Sequence, residues 1–189
     1  ATTLGYSLKD FLGMLKEAGL RTMPGTAAEI LDDSVRDIIC PDKINTSRWL
    51  EIIETAHNVG IKTTSTIMFG HQEKIDHWAT HLLRLRELQK KTGGITEFIP
   101  LPFVSMESPM YKRGNARPGP TFREVLLMHA IGRLSLYPLI NNIQSSWVKL
   151  GQLGALSCLN AGVNDMGGTL MNESISKAAG SIHGQEFTP

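Results

Sequence analysis

The chain has 189 residues, 41% of them hydrophobic, and its nineteen basic and eighteen acidic side chains give a formal net charge of +1. This length predicts a single domain with one core, and the near-neutral charge gives no electrostatic reason to expect nucleic acid or an anionic membrane as a partner. No apolar run approaches the roughly 20 residues that span a bilayer, and the N-terminus has no signal-peptide pattern. Cys40 and Cys158 lie far apart in the chain, so we expect two buried thiols and a cytoplasmic protein, or an organelle-stromal one in a eukaryote.

The first half of the chain predicts two helix-strand units. Ser7 and Asp10 are spaced as in a capping box, which predicts a helix over 7–18 that ends at Gly19 and leads into a short strand over 20–23. A second helix is predicted from about Thr46 to Gly60. The residues that follow it, 61–69, are rich in threonine and isoleucine, which is typical of a strand.

The second half predicts three further units. A helix over 75–90 precedes a strand centred on Phe98, and a loop with proline and glycine follows over 105–120. Thr121 and Glu124 predict the capped start of a helix that reaches about Tyr137. Strands are then predicted over 139–143 and near Val163, with a last helix over 172–179 and an irregular ending.

A polar cluster follows each of the five predicted strands. In a βα barrel the active site lies at the C-terminal ends of the strands, so the pattern predicts an α/β fold of the βα (TIM) type with parallel strands. Such a barrel typically needs about 250 residues and eight strands, and open sheet edges are avoided. We therefore expect 1–189 to form one partial barrel domain, the C-terminal part of a longer one. The clusters cover residues 24–29, 69–73, 96–103, 144–147 and 164–169.

Acidic and neutral polar side chains in these clusters are the candidates for binding a small polar ligand. Some have a plain structural alternative. Glu29 also suits the first turn of a helix, and Asn164 with Asp165 also suits an Asx turn. Ser146 as a nucleophile would need a nearby base. The candidates are Glu29, His71, Glu73, Glu97, Gln144, Ser146, Asn164 and Asp165.

A metal site is the alternative use of the histidines near the second cluster. His71, Glu73, His77 and His81 are residue types that bind zinc or iron. The chain lacks the H-E-x-x-H spacing of a helical metalloprotease motif, because no glutamate follows His77. A helix face explains His77 and His81 more simply, so we expect no metal ligands in this chain and hydrogen bonding to a ligand by His71 and Glu73.

Six segments of the sequence together carry a family resemblance. They are MPGTAAEILDD (23–33), ICPDKI (39–44), TIMFGH (66–71), TGGITEFIPLPF (92–103), QSSWVKLG (144–151) and NDMGGTLM (164–171). Together they resemble the second subunit, or second half, of the FO synthase family of radical S-adenosylmethionine enzymes. Menaquinone-pathway relatives, the aminofutalosine and cyclic dehypoxanthine futalosine synthases, share several of these segments. The stretch from Glu97 to Phe103 and the run over 167–171 favour the deazaflavin branch.

The resemblance implies a transferase of coenzyme F420 biosynthesis whose substrates are L-tyrosine and 5-amino-6-(D-ribitylamino)uracil. A 5′-deoxyadenosyl radical would take hydrogen from tyrosine, and the 4-hydroxybenzyl group would pass to the uracil. The cofactors would be a 4Fe-4S cluster and S-adenosylmethionine, and the partner would be FO synthase subunit 1 or an equivalent fused half that closes the deazaflavin ring.

The family's C-x3-C-x2-C cluster motif is absent from this sequence, and Cys40 and Cys158 cannot replace it. By the resemblance the chain begins near the third barrel helix, and we expect it to be inactive alone. The alternatives are a menaquinone-pathway enzyme and a non-catalytic barrel remnant that binds a small ligand or partner.

Overall fold

The computed structural model describes residues 4–168 and 174–184 as an α/β fold. Helices and strands alternate up to residue 102, with two consecutive helices before the second strand, and the named elements that follow are helices. In chain order the elements are α1 Leu8–Glu17, β1 Thr22–Met23, α2 Asp33–Ile39, α3 Thr46–Asn58, β2 Lys62–Phe69, α4 Ile75–Thr92, β3 Ile95–Pro102, α5 Pro109–Lys112, α6 Phe122–Leu136, α7 Trp147–Leu159 and α8 Ser174–Ala178.

The three strands form one parallel sheet in the order β1-β2-β3. Neighbouring side chains point to opposite faces of a strand, so the sheet has a helix-covered face and an inner face. Ile67, Phe69 and Phe98 are fully buried on the covered face, in a core shared with Trp78 and Met128 of α4 and α6. The pairs on the inner face are half-buried, apart from buried Thr66, and so form an accessible wall. These pairs are Thr64 with Glu97, Thr66 with Ile99, and Met68 with Leu101.

The predicted fourth and fifth strands do not form as strands, so the prediction of five strands is not confirmed. One parallel bridge joins the fourth segment to β3, between Phe98 and Ile143, and another joins it to the fifth segment, between Gln144 and Asp165. A side chain interrupts the ladder between them, because Asn164 Oδ1 accepts the Ile143 N–H at 2.9 Å. The two bridges nevertheless continue the parallel direction beyond β3.

Helices with local start signals agree with the sequence. Ser7 caps α1, and Thr121 with Glu124 forms the predicted capping box of α6. The sequence analysis did not include α2, α5 or α7. For α7 the reason is local, because Ser146 makes no capping bond and Gly151 is non-helical with φ 68°. Of the predicted last helix, α8 covers the part that lies within the described residues.

Two glycines let the loops at the C-terminal ends of the strands pack closely. A Cβ on Gly25 would lie 1.8 Å from the Thr64 carbonyl oxygen, so the loop after β1 can rest on β2 only through glycine. Gly70 has φ +96°, and a Cβ there would lie 2.2 Å from Pro120. Both contacts shape the edge of the sheet where the polar clusters lie. Across the described residues we find no helix long and apolar enough to cross a membrane.

Candidate functional site

The turn after β1 carries an unusual backbone conformation that presents Glu29. Ala27 and Glu29 have positive φ angles of 63° and 46°, which residues other than glycine rarely adopt. The Glu29 carbonyl accepts the Met68 N–H at 2.7 Å, which fixes the turn to β2. Strained backbone of this kind persists only where the surrounding structure holds it.

A buried arginine holds this turn from behind. Arg36 of α2 is 2% exposed, and its guanidinium donates to the carbonyls of Ala27, Ala28 and Ile30. It also donates to the Ile44 carbonyl at 2.5 Å, so one side chain joins the turn to the segment after α2. That segment contains Lys43, whose ammonium lies 2.6 Å from the Glu29 carboxylate.

The Glu29–Lys43 pair lies at a cavity of about 270 Å³ at the C-terminal ends of β1 and β2. Glu29 accepts a hydrogen bond from Lys43, which raises the pKa of the lysine. The other lining residues are mainly apolar or uncharged at neutral pH. They are Ile39, Cys40, Asp42, Met68, His71, Phe103, Ser108 and Met110.

His71 and Glu73 form the buried turn after β2. Glu73 accepts hydrogen bonds from the N–H groups of Gly70 and His71 and from Trp78 Nε1 at 2.6, 2.9 and 3.0 Å. Burial tends to raise the pKa of the Glu73 carboxyl, but the facing His71 ring and these donors leave it lowered. Burial also lowers the pKa of His71. The neutral His71 ring donates through Nε2 to the Met68 carbonyl at 2.9 Å and accepts the Gln72 N–H at Nδ1.

Arg117 joins the loop after β3 to this turn. Its Nη2 lies 3.5 Å from Glu73, and its Nη1 lies 2.8 Å from Glu124 at the start of α6. The Arg117 N–H donates to the His71 carbonyl at 3.1 Å. The loop that supplies Phe103, Ser108 and Met110 to the cavity is thereby fixed over the His71 turn.

Gln144 and Ser146 line a second cavity, of about 310 Å³, against the inner face of the sheet. Thr66, Ile99 and Leu101 form its sheet side, and Gly167 with Gly168 its opposite side. Trp147 Nε1 donates to the Gly168 carbonyl at 3.1 Å and so holds that side in place.

Glu97 and Asp165 extend this inner face toward the N-terminal end of β3. Burial raises the pKa of the Glu97 carboxyl, and the nearby Asp165 carboxylate raises it further. Asp165 Oδ1 accepts the Gly167 N–H at 2.5 Å, as in an Asx turn. The two carboxyl groups are thus close enough to interact electrostatically.

Asn164 takes part in the bridge rather than facing a cavity. Its Oδ1 accepts from Arg133 Nη2 at 2.7 Å as well as from the Ile143 N–H. Ser145 is fully buried and lies outside both cavities. Arg133 also donates to the carbonyls of Gly162 and Asn141, so this corner is a structural junction.

The candidates therefore fall into two groups. Glu29, His71 and Glu73 meet at the first cavity or directly behind it, whereas Gln144, Ser146, Glu97 and Asp165 belong to the inner face. Sequence reasoning missed Arg36, Lys43 and Arg117. For Lys43 the sequence did contain a signal, because this lysine lies in the ICPDKI segment (39–44), which is one of the segments that carry the family resemblance. The two arginines act through contacts that no short motif encodes.

The residues described do not fit an iron-sulfur cluster. Cys40 and Cys158 are both buried, and burial raises the pKa of each thiol. A 4Fe-4S cluster is held by thiolates at close spacing. Over 4–168 and 174–184 there is no group of three or more His, Cys, Asp or Glu side chains that could hold a metal ion.

Comparison with known proteins agrees with this fold. A family model of the Radical SAM superfamily matches residues 1–85, and one of the CofH/MqnC C-terminal region matches residues 92–188. The chain is 53% identical over 184 residues to an FO synthase of Mycobacterium leprae, covering 97% of this chain and 21% of that protein. It is 52% identical over 184 residues to an FO synthase of Streptomyces coelicolor, with the same two coverages.

The chain covers a larger share of a shorter relative. The chain is 54% identical over 180 residues to the 5-amino-6-(D-ribitylamino)uracil–L-tyrosine 4-hydroxyphenyl transferase of Methanococcus aeolicus. The match covers 95% of this chain and 50% of that protein, so the chain spans half of the transferase and about a fifth of the FO synthases. On the match over residues 92–188, the chain belongs to the CofH/MqnC family, and its residues 1–85 are similar to the Radical SAM superfamily.

Proposed function

We propose that this chain forms a substrate-holding part of a radical SAM transferase that joins the 4-hydroxybenzyl group of L-tyrosine to 5-amino-6-(D-ribitylamino)uracil. The observation that carries the proposal is the 54% identity, over 95% of this chain, to a protein named for that reaction. The FO synthases at 51–53% identity support the same assignment.

The inner face suits the ribityl chain, which carries several hydroxyl groups. Gln144, Ser146 and Thr66 offer neutral donors and acceptors around the second cavity. Glu97 and Asp165 add carboxyl groups beside it. A few placed polar groups on an otherwise apolar wall are typical of small-molecule sites. In this proposal the two bridged segments take the positions of further strands in a larger barrel. Residues 1–189 belong to that one domain.

The 4Fe-4S cluster and its bound S-adenosylmethionine would be held mainly by another part of the polypeptide, because the described residues do not fit the cluster. The deazaflavin ring would be closed by FO synthase subunit 1 or by a fused equivalent. This chain would contribute the sheet wall and the C-terminal loops against which the substrates lie.

A chimera tests the proposal directly. The matching half of the Methanococcus aeolicus transferase is replaced by this chain, and the purified protein is reconstituted with iron and sulfide without oxygen. We expect 5′-deoxyadenosine and the hydroxybenzyl-uracil adduct when both tyrosine and the ribitylaminouracil are present, and no adduct when either is omitted. The unaltered transferase is the control, and a folded, cluster-loaded chimera that forms no adduct contradicts the proposal.

A menaquinone-pathway activity is the second candidate, because the matching family model covers both branches by its own description. The same chimera offered a futalosine-type precursor separates the two. Turnover of that precursor with no adduct from the uracil would assign the chain to the second branch. Absence of both activities in the folded, cluster-loaded chimera would favour a non-catalytic binding role.

A further inference from the structure

The Glu29–Lys43 ion pair adds little to the stability of the fold, although the structure holds both residues in place. The two groups are 2.6 Å apart, with side chains 16% and 43% exposed. A partly exposed ion pair of this kind stabilises a fold only weakly. Separating the two charges therefore costs little, provided that other charges replace the contact.

Hydrogen bonds fix the backbone on both sides of the pair, and the small stabilising effect of the ion pair does not explain why. Glu29 lies in the left-handed region at φ 46°, a conformation that is unfavourable for a residue other than glycine. Arg36 fixes both sides, through the carbonyls of Ala27 and Ala28 next to Glu29 and through the Ile44 carbonyl next to Lys43. The structure thus fixes the main chains that carry one anion and one cation.

The cavity beside the pair is lined by apolar side chains. Met68, Phe103 and Met110 line it, and its volume of about 270 Å³ is slightly below the roughly 300–1,000 Å³ of drug-sized sites. It therefore suits one small ligand. The other residues at the wall are Ile39, Cys40, Asp42, which is exposed, Ser108, and His71, which is neutral.

An α-amino acid zwitterion has the complementary chemistry. Its ammonium and carboxylate are attached to one carbon, and each can form a charge-assisted hydrogen bond with a group of opposite sign. We propose that this cavity binds the α-amino acid end of an amphipathic ligand, with the ammonium on Glu29, the carboxylate on Lys43 and the side chain between Met68, Phe103 and Met110. In the structure, Glu29 and Lys43 are each other's counter-ions, and the ammonium and carboxylate of the ligand would replace that contact.

One source of this chemistry follows from the proposed function, on which the choice of ligand rests: free L-tyrosine. Binding to the 189-residue chain is measured by calorimetry or by ¹H–¹⁵N NMR shifts. The probes are L-tyrosine, tyramine without the carboxylate, and 3-(4-hydroxyphenyl)propanoate without the ammonium. We expect L-tyrosine to bind at least tenfold more tightly than either truncated analogue.

Two variants and a matched control locate the binding. We expect Glu29→Gln and Lys43→Gln each to weaken L-tyrosine binding about tenfold. Glu29→Gln should also weaken tyramine but not the propanoate, and Lys43→Gln should weaken the propanoate but not tyramine, because each analogue keeps only one of the two charges. Glu87→Gln breaks the exposed Lys90–Glu87 pair of α4, also 2.6 Å long, and should leave binding unchanged. Far-UV circular dichroism confirms that each variant keeps the fold. The Glu29 and Lys43 variants in the chimera should raise the KM for tyrosine with little change in kcat.

The outcomes separate this inference from the proposed function. Three results would each overturn the zwitterion site, even with an active chimera: tyramine binds as tightly as L-tyrosine, no probe binds, or Glu29→Gln binds L-tyrosine as tightly as the unaltered chain. Selective binding of L-tyrosine that Glu29→Gln weakens would support the site, even if the chimera formed no adduct.

Discussion

Two buried charges organise the C-terminal edge of the sheet, and hydrogen bonds, mostly to main-chain groups, hold both of them. Arg36 donates to four carbonyls through Nη1 and Nη2, although its Nε has no hydrogen-bond partner among the described residues, and Glu73 accepts two main-chain N–H groups and the Trp78 indole. A buried charge costs free energy unless hydrogen bonds replace its lost hydration. These bonds replace much of that hydration, and they fix the turns after β1 and β2 on which Glu29 and His71 lie.

Replacing Arg36 should therefore cost more than replacing an exposed arginine. We expect Arg36→Met to lower the free energy of unfolding by about 2–4 kcal/mol, because the carbonyls it serves become buried acceptors without donors. Urea denaturation followed by circular dichroism measures this. Arg48→Met, which breaks the exposed Arg48–Glu51 pair, should change stability by less than about 0.5 kcal/mol. Equal losses in the two variants would show that Arg36 does not hold the turn.

At the scale of elements, the start of α6 also anchors the loop after β3. Glu124 accepts the Thr121 N–H at 2.7 Å in the capping box and pairs with Arg117 from the loop. The hydrogen bond from Arg117 is the largest reason that the pKa of Glu124 falls from 4.5 to about 2. One carboxylate therefore begins a helix and holds the loop that covers the first cavity.

This coupling predicts an acid-sensitive contribution to stability. The folded-state pKa of Glu124 is depressed, so its contribution is fully present above about pH 4.5 and is lost as the pH falls toward about 2. We expect Glu124→Gln, which keeps a cap acceptor, to lose about 0.5–1 kcal/mol at pH 7 and to show a smaller further loss between pH 4.5 and 2. Thermal unfolding across this range measures it, with Glu51→Gln as control. An unchanged acid profile would contradict the pairing.

At the scale of the whole molecule, the helices that the structure describes cover one face of the sheet. Parallel sheets are normally buried on both faces, yet the inner row over β2 and β3 is largely half-buried, with polar residues among the apolar ones. The parallel direction of the strands continues through the bridges at Ile143 and Asp165. The inner face is thus accessible to a ligand or to further strands.

The cysteine positions predict how the molecule behaves with iron. We expect the 189-residue chain to bind no 4Fe-4S cluster on anaerobic reconstitution, because Cys40 and Cys158 are buried and only two thiols are present. The chimera, to which the relative contributes the remaining half, should show the absorbance of a cluster and about four irons per chain. Stoichiometric cluster and 5′-deoxyadenosine from the 189-residue chain alone would overturn this prediction.

The sequence by itself determined α1, α3, α4, α6, β2 and β3 to within a few residues, and it determined the family. Caps and apolar periodicity operate over three or four neighbouring residues, so the chain carries them locally. Only the tertiary structure decided which polar residues meet. Arg36 joins two loops, Lys43 meets Glu29, and Asn164 replaces a ladder bond of the predicted fourth and fifth strands. These contacts join residues 8 to 21 positions apart, where geometry depends on how the elements pack rather than on any short pattern.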